Sequence, residues 1–446
     1  MIHPGDPAAF LRRLVRPFPR LAVAVVALIP LPALPLSAQE VDPVYHDQIA
    51  RIATSPTIEA AFERIEALDG WALERLIELT EIPAPPFMEA ARGARFAELL
   101  REYGADSVWV DEVGNVIGRR AGTGSGRTVA VGGHLDTVFP EGTDVSVRIA
   151  GDTLFAPGVG DDTRGLVNVL TLLRVLDEHE IRTRDDLLFV GTVGEEGLGD
   201  LRGMKEIFRE GADAPDAWIE IDGEGERTIV SMGLGSKRYR VTFEGEGGHS
   251  WGAFGLANPA HALGRAIRRF EEVADTLTRS GPRTSYNVGR IGGGTSVNSI
   301  PFEAWMEVDM RSVDPASLDR IEAVFLDAMD RALAEANALA REGTPLTVRK
   351  ERIGDRPSGE MDPDHPLVQR AMAATRFMGE VPELTRSSTN SNTPISLGVP
   401  AVTIGRGGLG GNAHALDEYW VNREGWKAIQ RTLLLAVAEA GLPGIS

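Results

Sequence analysis

Residues 131–138 read Val-Gly-Gly-His-Leu-Asp-Thr-Val, an apolar strand that ends in His134 and Asp136. Because successive side chains of a strand point to opposite faces, these two residues share a face. An imidazole and a carboxylate on one face can bind a metal ion, and the carboxylate in such a pair fixes the tautomer of the ligating histidine. The first candidate ligand is therefore His134, with Asp136 expected to orient it.

Two further acidic clusters follow this strand. Asp161 and Asp162 stand in a glycine-rich turn before an apolar helix, where on their own they read more readily as helix caps than as ligands. Glu195 and Glu196 come directly after the buried strand 187–191. Open α/β sheets bind ligands at the carboxyl ends of their strands, so this pair is well placed to serve a metal ion and a substrate.

The last two clusters contain Asp222, at the end of another strand, and His414, in a glycine-rich loop after strand 401–404. The chain has no cysteine, so a transition metal can be held here only by histidine and carboxylate side chains. Together the clusters supply two histidines and three carboxylates, which suit two divalent ions with one bridging carboxylate. The predicted ligands are His134, Asp161, Glu196, Asp222 and His414. Zinc is the expected metal, with cobalt or manganese as alternatives.

The first 38 residues are expected to be an export signal. Four arginines precede the apolar run 21–36, and the small residues Ser37 and Ala38 follow it. The run is short and contains three prolines, which disfavours the alternative of a membrane anchor. Removing residues 1–38 takes away four arginines and one aspartate, a net charge of +3, so the charge of −19 becomes −22. So acidic a protein is a poor candidate for binding nucleic acid or an anionic membrane. The export signal predicts a location in the periplasm or the medium.

The rest of the chain is long enough for two domains. Apolar strands alternate with helices in residues 41–236 and 351–446, which predicts an α/β catalytic domain with a largely parallel sheet flanked by helices. Residues 237–350 follow the order β-α-β-β-α-β, which predicts an inserted ferredoxin-like α+β domain.

Two glycine-rich loops of the inserted segment are further candidates for contact with a ligand. His249 lies in Gly-Gly-His-Ser, where glycines allow the backbone to approach a ligand closely, although a surface histidine would look the same. Residues 292–301 form the second loop, Gly-Gly-Gly-Thr-Ser-Val-Asn-Ser-Ile-Pro, whose simpler interpretation is a flexible hairpin connection.

Taken in order, the motifs His-x-Asp, Gly-x-Gly-Asp-Asp, Glu-Glu, Ile-Asp-Gly, Gly-Gly-His-Ser, Gly-Gly-Thr-x-x-Asn-x-Ile-Pro and a late Ala-His resemble one family. This is the family of co-catalytic dizinc peptidases and deacylases that includes tripeptidase T, carboxypeptidase G, aminoacylase and succinyl-diaminopimelate desuccinylase. The resemblance implies a zinc-exopeptidase-like sheet and an inserted dimerisation or lid domain. It also implies that His134 and Asp222 bind one zinc, that Glu196 and His414 bind the other, and that Asp161 bridges them.

Further roles follow from the same resemblance. Glu195 would be the general base that takes a proton from the zinc-bound water. His249 would reach across from the partner subunit of a homodimer and stabilise the oxyanion. Asn298 and Arg311 match positions that hold the substrate's carboxylate or its surroundings.

The function expected from this resemblance is a secreted metallopeptidase that cleaves an amide bond in small peptides. An N-acyl amino acid deacylase and a glutamate-type carboxypeptidase are alternatives within the family, and a non-catalytic binding protein is an alternative outside it. Side-chain preference, the end of the peptide that is cleaved and the native metal stay open at this point.

Overall fold

The computed structural model describes residues 40–124 and 126–444. The predicted export segment, residues 1–38, lies outside these residues. Among the helices in the described part of the chain, none combines the length and apolar character needed to span a lipid bilayer.

Helices cover the amino-terminal part of the described chain, as its apolar spacing predicts, and then alternate with strands. Five of the helices begin with proline, at a position where the missing N–H is not needed for an intrahelical hydrogen bond. In chain order the helices are α1 Pro43–Ala53, α2 Pro56–Ala67, α3 Asp69–Thr80, α4 Ala90–Glu102, α5 Thr163–Glu178, α6 Arg202–Ile207, α7 Pro259–Thr278, α8 Pro315–Leu339, α9 Pro366–Phe377, α10 Asn392–Ser396 and α11 Trp426–Ala440.

The strands group into one large sheet, one four-stranded sheet in the inserted segment and two smaller ones. In chain order they are β1 Ser107–Val110, β2 Val116–Arg120, β3 Thr128–His134, β4 Arg148–Ala150, β5 Thr153–Phe155, β6 Asp186–Thr192, β7 Ala217–Gly223, β8 Thr228–Gly233, β9 Gly235–Glu244, β10 Gly248–His249, β11 Thr284–Gly293, β12 Ser299–Ile300, β13 Glu303–Ser312, β14 Thr347–Arg356, β15 Gly359–Glu360, β16 Glu383–Ser387, β17 Ala401–Gly405, β18 Leu409–Gly411 and β19 Tyr419–Val421.

The large sheet has the order β1-β2-β6-β3-β7-β17-β8-β15, and β16 also pairs with β8. Its centre is parallel, since β3 pairs in parallel with β6 and β7, and β17 pairs in parallel with β7. These four strands are almost wholly buried, as expected for a parallel sheet covered on both faces. The carboxyl ends of β3, β6, β7 and β17 therefore meet at one edge.

The inserted segment forms a separate antiparallel sheet of order β11-β13-β9-β14. Helices α7 and α8 pack against it, and its apolar core is drawn only from residues between Tyr239 and Val348. The predicted β-α-β-β-α-β order is present. The last strand runs to Arg356, further than the predicted end at Lys350, and Leu234 alone separates β8 of the large sheet from β9.

Two small sheets were not predicted. One is four-stranded, with the order β18-β19-β5-β4, and the other is the pair β10–β12. Their strands are two or three residues long, too short for an alternating pattern to be recognised in the sequence.

Candidate metal centre

The predicted ligands converge at the carboxyl edge of the large sheet. His134 is the last residue of β3, Asp222 lies near the end of β7, and Glu196 follows β6. Asp161 stands just before α5, and His414 lies in the loop after β18. Because β3, β6 and β7 are parallel, their carboxyl ends bring His134, Glu196 and Asp222 together, and the two loops add Asp161 and His414.

The five side chains form two groups that share one residue. In site A, Nε2 of His134 lies 3.2 Å from Oδ1 of Asp161 and 3.8 Å from Oδ1 of Asp222. In site B, Nε2 of His414 lies 3.2 Å from Oδ2 of Asp161 and 2.8 Å from Oε1 of Glu196. Asp161 thus offers one carboxylate oxygen to each site, which is the geometry of a bridging ligand.

The donor set and its spacing fit divalent ions. The histidine and carboxylate ligand atoms within each site lie within 4.8 Å of one another, and imidazole with carboxylate is a set that zinc accepts. Burial lowers the pKa of His134, but hydrogen bonds to Asp161 and Asp222 outweigh it and raise this pKa well above its ordinary value. Hydrogen bonds to Asp161 and Glu196 raise the pKa of His414 to about 10. Protons occupy these nitrogens when ions do not, so metal binding must displace them.

Asp136 contacts the centre differently from the prediction. Nδ1 of His134 lies 2.9 Å from the backbone carbonyl of Asp136, whereas the Asp136 carboxylate is 3.7 Å away. That carboxylate instead accepts the backbone N–H groups of Glu195 at 3.0 Å and Glu196 at 2.8 Å. The backbone carbonyl of Asp136 therefore orients His134. The Asp136 carboxylate instead holds the loop after β6 in place, because this loop presents two backbone N–H groups to it.

The sequence left open whether Asp161 and Asp162 cap a helix or bind a metal ion, and the structure gives them different contacts. Asp162 is fully buried and caps α5, since its Oδ1 accepts the N–H of Gly165 at 3.2 Å and its Oδ2 accepts the N–H of His134 at 3.1 Å. Asp161 faces the metal centre. The cap interpretation therefore applies to Asp162, and the ligand geometry belongs to Asp161.

Two buried residues that the sequence analysis missed support this loop. Glu418 accepts the backbone N–H groups of Gly158, Gly160 and Asp161 at 2.8–2.9 Å. Arg406, directly after β17, places Nη1 3.5 Å from Asp161 and 3.3 Å from Asp222. Their signals in the sequence are slight: Glu418 follows His414 by four residues, and Arg406 is a charged residue at the end of an apolar strand.

A cavity of about 420 Å³ opens over the centre. Its lining includes ligands of both sites, Glu195, and three arginines that come from the inserted sheet: Arg238, Arg311 and Arg356. Burial raises the pKa of Glu195 well above its ordinary value, although Arg356 opposes this. Nη1 of Arg356 lies 3.2 Å from Oε1 of Glu195 and 3.1 Å from Oγ of Ser388. The sequence carried no signal for this ion pair.

The structure places the remaining predicted residues at two locations. Arg311 lines the cavity and donates to Asp309 at 2.8 Å, and Arg238 donates to the same carboxylate at 2.9 Å. His249 is the last residue of β10 and Asn298 directly precedes β12; both are exposed, and neither is among the described residues that line the cavity. Nδ1 of His249 instead accepts the N–H groups of Trp251 and Gly252 at 3.2 and 3.3 Å.

Known proteins resemble this chain over most of its length. Residues 130–437 match the profile of peptidase family M20/M25/M40, a range that contains all five predicted ligands. Acetylornithine deacetylase from Myxococcus xanthus is 26% identical over 388 residues, covering 82% of this chain and 93% of the relative. Succinyl-diaminopimelate desuccinylase from Corynebacterium glutamicum is 26% identical over 264 residues, covering 56% of this chain and 70% of the relative. The fold is similar to that of a tripeptidase from Staphylococcus aureus, with a TM-score of 0.67 at 23% identity, over 82% of this chain and 98% of that one.

Proposed function

This chain belongs to peptidase family M20/M25/M40, which is the family that its sequence motifs indicated. On this basis we propose that it is an exported hydrolase of small peptides that depends on two metal ions. The chain is a hydrolytic enzyme of this family that acts on amide bonds. What the proposal adds is the pair of ions, the residues that hold them, the substrate class and the destination.

The observation that carries the proposal is the shared carboxylate of Asp161. Its two oxygens lie 3.2 Å from His134 and 3.2 Å from His414, residues that come from opposite ends of the catalytic segment. Site A, completed by Asp222, and site B, completed by Glu196, would each hold one divalent ion. When bound, such ions acidify water and polarise a carbonyl oxygen.

Glu195 is the proposed general base. It lies in the same cavity as both sites, close to His134 and Glu196, but it belongs to neither of the two groups that share Asp161. Its carboxylate would take a proton from the attacking water as the C–O bond forms, and would return it to the amide nitrogen as the C–N bond breaks. Proton transfer of this kind contributes about 10²–10⁴-fold to a rate. The contact with Arg356 fixes the direction of this carboxylate.

The charge of the cavity wall favours substrates with a carboxylate near the scissile amide. Arg238 and Arg311 share the single carboxylate of Asp309, so this group carries a net charge of about +1. A guanidinium binds a carboxylate through two parallel hydrogen bonds. Arg311 is therefore the proposed substrate-binding residue, in agreement with the role that the resemblance implies for it. Peptides and N-acyl amino acids both present such a carboxylate.

An N-acyl amino acid deacylase or a glutamate-type carboxypeptidase is the second candidate, because relatives found by sequence are named as deacylases. A panel of di- and tripeptides, N-acetyl and N-succinyl amino acids and glutamate-terminated amides, offered to zinc-loaded protein, separates these functions by relative kcat/KM. We expect peptides to be turned over fastest, with product identification giving the end that is cleaved. Faster turnover of acyl amino acids would favour the deacylase.

The role of Glu195 is tested by Glu195→Gln, which keeps the shape of the side chain but cannot take the proton. We expect kcat to fall at least a hundredfold while two ions per chain remain bound. Glu322→Gln is the matched control, because Glu322 is also a buried glutamate but lies in α8, outside the cavity lining. Near-native turnover by Glu195→Gln with both ions present would refute the assignment. A chain that binds no divalent ion would refute the dinuclear centre.

Export is proposed from residues 1–38, and fractionation of producing cells with sequencing of the mature amino terminus tests it. A homodimer is proposed from the inserted ferredoxin-like sheet, with His249 and Asn298 completing the partner's active site. Light scattering tests the dimer. If a His249→Ala subunit and a Glu195→Gln subunit are mixed, recovery of activity would support the contribution across the interface.

A further inference from the structure

Arg406 is a buried cation beneath the metal centre. It follows β17 directly, and its backbone is fixed at both ends, since its N–H donates to the carbonyl of Gly223 at 2.8 Å and its own carbonyl accepts from Asn168 at 3.0 Å. The side chain is only 4% exposed, and it is not among the described residues that line the cavity. A substrate in the cavity would therefore meet the metal ligands and not this guanidinium.

The contacts of Arg406 are confined to one side of the centre. Its Nη1 lies 3.5 Å from Oδ1 of Asp161 and 3.3 Å from Oδ1 of Asp222. These are the same two oxygens that face Nε2 of His134 in site A. The contacts of site B use the other oxygen of Asp161 together with Glu196 and His414, and no contact of Arg406 with those atoms is found among the described residues.

From this asymmetry we propose that Arg406 makes site A the weaker of the two metal sites and keeps its carboxylates in place when no ion is there. The inference rests on the proposed function, because it presupposes that two divalent ions bind. Arg406 acts here as a positioning residue, since it touches the ligands and neither the substrate nor the reacting atoms.

Two physical effects act in the same direction. A fixed positive charge a few ångströms from a divalent cation repels it, and burial leaves that repulsion poorly screened by water or salt. In the absence of the ion, the same charge relieves the mutual repulsion of the buried Asp162 and the largely buried Asp161 and Asp222. Arg406 thus disfavours the loaded state of site A and favours its empty state.

The consequence is stepwise loading. At limiting metal the protein would hold one ion in site B, and the ion in site A would enter only at a higher free concentration. The second ion would then be the one that exchanges with the surroundings, so that activity depends on metal supply over a range set by site A.

The test is a titration of metal-free, full-length protein with Co²⁺, followed by absorbance, and with Zn²⁺, followed by calorimetry. We expect two phases whose dissociation constants differ at least tenfold. Asp222→Asn should remove the weak phase, and His414→Ala should remove the tight phase. Two ions of equal affinity in the wild-type protein, or loss of the weak phase in His414→Ala, would overturn the inference and leave the dinuclear proposal standing. No bound ion at all would refute the proposed function itself.

Substitution of the arginine tests the cause. Arg406→Gln should tighten the weak phase at least tenfold, leave the tight phase within about threefold and lower the melting temperature of the metal-free protein. Arg406→Lys keeps the charge and should retain two separate phases. Arg431→Gln is the matched control, because Arg431 is equally buried but donates to the backbone carbonyls of Glu226 and Gly405 and not to a ligand. An unchanged weak phase in a folded Arg406→Gln protein would refute the role of the charge. If that variant does not fold, the wild-type titration and the two ligand variants still decide the order of the sites.

Discussion

Replacing Asp136 with asparagine would test how the loop that carries the two active-site glutamates is held. One oxygen of the Asp136 carboxylate accepts the N–H of Glu195 at 3.0 Å, and the other accepts the N–H of Glu196 at 2.8 Å. Asparagine has almost the same shape but only one acceptor oxygen. Its amide nitrogen would face a backbone N–H, so that two donors would oppose each other in a fully buried position.

The size of the effect follows from these two bonds. A hydrogen bond to a charged acceptor contributes about 1.5–3 kcal/mol, whereas a neutral one contributes about 0.5–1.5 kcal/mol. The substitution removes one charge-assisted bond and makes the other neutral, so we expect the free energy of unfolding to fall by about 2–4 kcal/mol. Because Glu196 belongs to site B, metal affinity there should also fall about 10–100-fold, as is usual for residues that orient ligands.

Urea unfolding of the metal-free protein measures the first quantity, and Zn²⁺ titration measures the second. Asp111→Asn is the control, because Asp111 also accepts backbone N–H groups, those of Val113, Gly114 and Asn115, in a turn that contributes no residue to either metal site. It should lower stability and leave metal affinity unchanged. The reasoning is refuted if Asp136→Asn binds both ions as tightly as Asp111→Asn does.

Three further predictions concern the same centre. Glu418→Gln should weaken binding at both sites about 10–100-fold, since it loosens the shared ligand loop, and equilibrium dialysis would contradict this if only one site responded. Metal-free protein should lose stability as the pH rises from 6.5 to about 10, because the raised pKa of His414 makes its stabilising contribution complete below 6.5 and absent above 10. Melting temperatures in chelator should therefore fall more steeply for the wild-type protein than for His414→Ala, and parallel curves would count against this origin. Gly133→Ala should cost about 1–3 kcal/mol of stability, because its Cβ would meet Oδ2 of Asp162 at 2.6 Å. Gly264→Ala has nothing within 4 Å in helix α7 and should be neutral or stabilising by about 0.5–1 kcal/mol in the same chemical denaturation assay.

Much of the fold could be predicted because its main elements are long and strongly patterned. The buried runs that became β3, β6 and β7 are continuous and apolar, and the helices of the inserted segment keep a helical spacing over 20 and 25 residues. Strand β8 was missed because it is flanked closely by other elements and ends in glycine. The small four-stranded sheet was missed because its strands have three residues each.

The centre was predictable to the extent that its residues stand in local motifs, either at strand ends or in glycine-rich turns and loops. Asp161 and His414 could be selected in this way although more than 250 positions separate them. The supporting residues could not, because their partners are distant and their own surroundings are unremarkable. Arg356 meets Glu195 across 161 positions, and only the folded chain brings them together. The hydrogen-bond partners of the Asp136 carboxylate could not be predicted either, because the sequence does not show which N–H groups the folded chain brings to it.

The apolar core of the inserted sheet is separate from that beneath the metal ligands, and this has an evolutionary consequence. The wall that carries Arg238 and Arg311 is built on one scaffold, while His134, Glu196 and Asp222 stand on another. Mutations around Arg238 and Arg311 therefore pass their strain into a core that does not carry the metal ligands, whereas a mutation that moved Arg356 would reach Glu195. Selection can alter which molecules are accepted while the machinery that breaks the bond stays unaltered.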